Sequence, residues 1–128
     1  MDEAIYQAGS SQLRLDVLVA IELSGTSWLV GVLMPGSERV SRYQVKSGDG
    51  KALLHLLETV RSRATAASGR PAHIASCYEA GFDGFWLHRL LDANGVTNHV
   101  IDRASIRLIE NLGAPRPMAS MWRRWSAH

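Results

Sequence analysis

The chain has 128 residues, 46% of them hydrophobic and 20% charged, with a formal net charge of +2. That is enough for one domain with a real core and too little for two. No run of about eighteen apolar residues is present, which excludes a membrane-spanning helix, and so small a charge neither demands nor forbids a nucleic-acid partner.

The opening Met1-Asp2-Glu3-Ala4 is acidic and lacks the basic-then-apolar pattern of a secretory leader, so the cytoplasm is the expected compartment. Residues 1–14, with Gly9-Ser10-Ser11 and no sustained periodicity, read as a loose leader. Asp16-Val17-Leu18-Val19-Ala20-Ile21-Glu22-Leu23 is short, nearly unbroken in its apolar character and rich in branched residues. It predicts a central strand buried on both faces. Ser24-Gly25-Thr26-Ser27 is a turn. Trp28-Leu29-Val30-Gly31-Val32-Leu33-Met34 predicts a second buried strand, stopped by Pro35-Gly36. In the stretch from Arg39 to Lys46, Val40, Arg42, Gln44 and Lys46 fall on one face and Tyr43 and Val45 on the other. This mixed alternation suits an edge strand charged against unwanted pairing. Short turns favour antiparallel neighbours among these three.

After Ser47-Gly48-Asp49-Gly50, the residues Leu53, Leu56, Leu57 and Val60 recur at helical spacing, with Lys51, Glu58, Arg61 and Arg63 elsewhere on the cylinder. Asp49 is the expected N-cap, and Ser68-Gly69-Arg70-Pro71 the stop. Ala72-His73-Ile74-Ala75-Ser76-Cys77-Tyr78 predicts a fourth strand. A loop, Glu79 to Gly84, leads to a second helix carrying Phe85, Leu87, Leu90 and Leu91 and closed by Asn94-Gly95. His99-Val100-Ile101 is a last short strand, and the pattern is lost past Ala104. The order βββαβαβ, with helices as crossovers between parallel strands, implies an α/β fold with a mixed sheet.

Two acids stand where an acid has little structural excuse. Glu22 interrupts the first apolar run, and Glu79 follows the fourth. A carboxylate in or capping a buried strand costs several kcal/mol, on the order of the penalties for buried charge, unless it is paired or binds a cation. If the first and fourth strands are parallel neighbours, the two acids meet at one end. Hard divalent ions want such oxygen ligands. The ordinary alternative has Glu22 facing an exposed edge and Glu79 capping the next helix, and the residues alone leave both readings open. Asp102 is a possible third carboxylate that reads first as a turn or cap. Cys77, the single cysteine, lies in an apolar run and reads as a buried thiol. His55 and His88 are lone helical histidines, and His73 and His99 lie on strands without metal-ligand spacing to Cys77. Ser24, Ser76 and Ser105 lack a nucleophile elbow, and Gly81 and Gly84 are too sparse to cradle phosphate. Trp28, Trp86 and Tyr78, among apolar neighbours, read as packing rather than base-stacking residues.

The stretch from Cys77-Tyr78-Glu79-Ala80-Gly81-Phe82-Asp83-Gly84-Phe85 to Leu90-Leu91, followed by Gly95-Val96 and Val100-Ile101-Asp102, resembles the DEDD transposases of bacterial insertion sequences. These are similar to RuvC resolvase and Piv-type DNA invertases. Upstream, Ala20-Ile21-Glu22-Leu23-Ser24 resembles the family's first strand, where an Asp is usual and Glu22 stands here, one methylene longer. The resemblance covers roughly residues 16 to 106. It implies an RNase H-like (RuvC-like) domain over 15–106, four acidic ligands for Mg2+ or Mn2+, and cleavage and joining of DNA strands. Glu22 and Glu79 take the first two ligand positions. The last two belong to a Lys-Thr-Asp-x-x-Asp motif that this chain lacks, as it lacks the family's serine-bearing C-terminal domain.

Residues 107–128 read as an irregular tail. With its codons taken from each third base, Met118 before Ala119 forces a Gly and Met121 before Trp122 forces a Val. Permitted synonymous choices elsewhere yield Ala-Lys-Thr-Asp-Gly-Ile-Asp-Val-Glu-Thr-Leu-Val-Arg-Ala, the missing motif out of frame. The expectation is a frameshift between about Ile106 and Gly113. It makes the basic charge of the tail, within the late cluster Arg103, Arg107, Arg116, Arg123 and Arg124, largely an accident of frame and poor evidence for a DNA-binding arm, and the product a truncated transposase domain, inactive alone. Two other readings stand beside it. One is a non-catalytic module that binds DNA, a guide or structured nucleic acid, or full-length transposase in a hetero-oligomer. The other is an unrelated α/β enzyme using Cys77 or His88.

Overall fold

A computed structural model describes residues 15–79 and 85–101. The leader 1–14, Gly81, Gly84, Asp102, Ser105 and the tail 107–128 lie outside the described residues. The elements run β1 (Leu15–Glu22), β2 (Ser27–Leu33), β3 (Val40–Lys46), α1 (Gly50–Ser68), β4 (Ala72–Glu79), α2 (Trp86–Ala93) and β5 (Thr97–Ile101). The five strands make one mixed sheet in the order β3-β2-β1-β4-β5. β2 is antiparallel to both β1 and β3, and β4 is parallel to both β1 and β5.

β1 is central, and its unbroken apolar run is explained by burial on both faces, from Val17 through Ile21. The charged strand β3 is the edge of the sheet beside β2. β5 begins at Thr97 rather than His99, because Thr97 and Asn98 pair in parallel with Ala75 and Ser76 of β4.

Both helices pack on one face. Leu53, Leu57, Val60 and Ala64 of α1 and Leu87 and Leu91 of α2 cluster with Val17, Val19, Ile21, Trp28, Val30, Ile74 and Tyr78 of the sheet. Asp49 caps α1, its carboxylate accepting from the Ala52 N–H at 3.0 Å. Gly69 ends the helix in the left-handed region, at φ 73°. α1 begins against α2, and a Cβ on Gly50 would lie 2.6 Å from Leu90 Cδ2, so a larger residue there would require the Leu90 side chain to move. Phe85, read from the sequence as an apolar residue of the second helix, instead precedes its first turn and is 66% exposed. No described helix is long and apolar enough to cross a membrane.

Candidate functional site

The register of β1 with β4 runs from Leu15–Ala72 to Ile21–Tyr78. The next residue on each strand is its last: Glu22 on β1 and Glu79 on β4. Glu22 is placed opposite Leu29 of β2, and Glu79 opposite Ile101 of β5. Side chains alternate between faces along a strand. Glu22 therefore shares a face with Leu18 and Ala20, and Glu79 with Ala75 and Cys77. Those four form a second cluster with Leu33 and Ile101, on the face opposite the helices. The two carboxylates thus leave the same end of the same face, from strands about 4.8 Å apart.

This end has a topological reason to bind ligands. From β1 the chain turns to β2 on one side, and from β4 it passes through α2 to β5 on the other. In open α/β sheets, divergence of that kind marks the end of the parallel strands where ligands are commonly bound. Glu22 is exposed and Glu79 half-buried, so water reaches the pair. Carboxylates placed on adjacent strands in this way are oxygen donors of the kind hard cations prefer. Among the described residues no group of three or more His, Cys, Asp or Glu gathers to hold a metal ion. Glu79 does not cap the following helix, whose N-cap is Phe85 without any side-chain cap bond.

The other candidates fall into place around this pair. Cys77 is buried, and burial pushes its thiol up to about 12, which disfavours the nucleophilic thiolate. His88, half-buried on α2, belongs to a polar relay that the sequence did not reveal. The Ser76 hydroxyl donates to Asn98 Oδ1 at 2.7 Å, and Asn98 Nδ2 lies 2.9 Å from His88 Nδ1. Since an amide nitrogen can only donate, Nδ1 accepts and the imidazole proton sits on Nε2. The available signal was Ser76, a hydroxyl within the buried run of β4 from Ile74 to Tyr78. His73 and His99, distant in sequence, lie on neighbouring strands, with His73 Nε2 2.8 Å from Thr97 Oγ1 and His99 opposite Cys77. His55 lines a cleft of about 450 Å³ with Glu58, Arg61, His73 and Asn94, near the start of β4 and away from the carboxylate end. There the Arg61 guanidinium, hydrogen-bonded to Glu58, holds that carboxyl below its ordinary range. Trp28 and Tyr78 are fully buried, and Trp86 lies with its ring 6.0 Å from that of Trp28, so these aromatics pack the core.

No protein-family model matches the chain. A Sinorhizobium fredii protein named "Putative transposase y4rJ" is 39% identical over 98 residues, which is 73% of this chain and 25% of that protein. The chain therefore spans about a quarter of the length of this curated relative. Among solved structures, Archaeoglobus fulgidus Pelota is similar over 98% of this chain and 40% of its own, at 15% identity and a TM-score of 0.41. A likeness at that level does not establish a shared fold.

Proposed function

We propose that this chain is an RNase H-like (RuvC-like) portion of a DEDD-type DNA transposase, with Glu22 and Glu79 as the first two acidic ligands of its divalent-metal site. One observation carries the reading: the two acids end adjacent parallel strands and share one face. The similarity to a transposase over 98 residues supports it, and so does the strand order, with β2 reversed between β3 and β1.

Mg2+ or Mn2+ bound by such oxygens polarises a phosphodiester and activates its attacking nucleophile. What the chain itself contributes is placement. Two carboxylates at one strand spacing, Glu22 held by its pairing with Leu29 and Glu79 by its pairing with Ile101, need little reorganisation of the backbone to receive an ion. Glu22, longer by a methylene than the Asp usual in the resembled family, reaches further from its strand. Displacement with two metal ions needs both ions clamped. With two of the four acidic ligands that the resemblance implies, the 128-residue chain alone is expected to cleave little or no DNA.

Titrating Mn2+ into the 15N-labelled chain tests the site. Paramagnetic broadening should centre on residues 22 and 79 and disappear in the Glu22→Ala/Glu79→Ala variant. Broadening that is centred elsewhere, or that survives both substitutions, sinks the reading. Cleavage of duplex DNA with Mg2+ or Mn2+, lost in Glu79→Ala, would instead overturn the expected inactivity.

A further inference from the structure

The transposase reading leaves open how a DNA strand reaches the acid pair, and β3 offers a route. Arg42, Gln44 and Lys46 are exposed on this edge strand, and the register puts them on the carboxylate face. Gln44 lies opposite Leu29, and Leu29 opposite Glu22, so these three stand at one level across three strands. Arg42 stands one step below, opposite Gly31, and Lys46 one step above, opposite Ser27. Val40, the other residue of β3 on this face, is half-buried against the second cluster, so the exposed part of the strand here is cationic or neutral and never acidic. Successive positions lie about 6.8 Å apart along the strand, and β3 lies roughly 10 Å, two strand spacings, from β1. The end of β3 is anchored: the Ser47 hydroxyl donates to the Ser24 carbonyl at 2.9 Å, and the Ser47 N–H to the Thr26 carbonyl at 3.3 Å.

We infer that the Arg42–Gln44–Lys46 face of β3 is a track for the sugar-phosphate backbone of the DNA strand presented to Glu22 and Glu79. The inference rests on the transposase reading. Two cations and an amide donor neutralise and hydrogen-bond phosphates without reading bases. The acid pair repels phosphate unless a cation is bound, so strand binding falls to β3 and metal binding to β1 and β4. Protection of an edge against pairing also explains charge on β3. It does not explain why the charges flank the level of Glu22.

The experiment is fluorescence anisotropy of the 128-residue chain with a labelled duplex and a labelled single strand, across a salt series without divalent metal. The Arg42→Gln/Lys46→Gln variant should bind about tenfold or more weakly, and its log affinity against log salt should flatten by about 2 for duplex. Arg42→Lys should keep the wild-type slope. Lys51→Gln/Arg63→Gln, on exposed positions of α1, should keep it too. Equal urea midpoints for wild type and the β3 variant establish that the fold is intact. An unchanged slope in Arg42→Gln/Lys46→Gln, or no binding of either probe by the wild type, overturns the track. The Mn2+ measurement separates the two ideas. An unchanged slope with Mn2+ bound at residues 22 and 79 removes the track alone, whereas a flattened slope without Mn2+ binding removes the metal site alone.

Discussion

On the helix side of the sheet the buried side chains are large, with Trp28, Tyr78, Ile21, Leu53, Leu87 and Leu91 all fully enclosed in one cluster. Among the described residues those on the other side are fewer and smaller: Leu18, Ala20, Leu33, Ala75, Cys77 and Ile101. The two strands that meet at its centre both end in glutamate. The contrast separates two jobs within a single sheet. Apolar area removed from water on the helix side supplies most of the folding free energy. The opposite side is thereby free to hold two like charges side by side, which stability alone would disfavour.

The largest effect should come from the helix side. Trp28→Ala opens a cavity under Trp86 and should cost about 4 kcal/mol in urea denaturation. A cost below about 1 kcal/mol would show that this cluster does not dominate folding.

The next is on the other face and depends on pH. Burial raises the folded thiol of Cys77 above its ordinary value of 9.0, to about 12. Between these values the unfolded chain gives up the thiol proton and the folded chain keeps it, so the thiol's contribution is whole below pH 9 and is lost as pH rises toward 12. Relative to Cys77→Ala, the wild type should lose about 2 kcal/mol between pH 7 and pH 10.5. Parallel stability curves for the two proteins would mean that the thiol is wet.

Ser76→Ala strips the hydroxyl from buried Asn98 and should cost about 1–2 kcal/mol. It should also disturb the Nε2–H tautomer of His88, visible in the imidazole 15N shifts, and an unaltered tautomer would show that Asn98 orients the ring unaided. Asp49→Ala, which removes the α1 cap, should cost about 1 kcal/mol by thermal denaturation. Smallest of all, Glu22→Gln and Glu79→Gln should each leave stability within about 0.5 kcal/mol, or raise it slightly by relieving repulsion. A large loss in either variant would make the acids part of the fold's support and blur the contrast between the two faces.

The apolar runs of β1, β2 and β4, the Asp49 cap and the Gly69 stop were all legible in the sequence, because each depends on neighbours along the chain. Phe85 was misread. Periodicity counts it with Leu87 and Leu91, and only the docking of α2 shows that it lies one residue before the helix and points to solvent. Thr97 and Asn98 were missed as strand residues because their place in β5 comes from partners on β4. The relay from Ser76 through Asn98 to His88 was missed for the same reason, since its members come from three elements and no local pattern unites them.

By itself the sequence determined which segments are extended or helical and singled out Glu22 and Glu79 as acids ill-suited to their surroundings, since burial preference and capping act over a few residues. Only the tertiary structure decided that β1 lies beside β4 in parallel, that both glutamates share a face, and that Arg42 and Lys46 share it with them. Strand partners and register arise from packing between segments far apart in the chain, as Leu15 and Ala72 are, which no local pattern encodes.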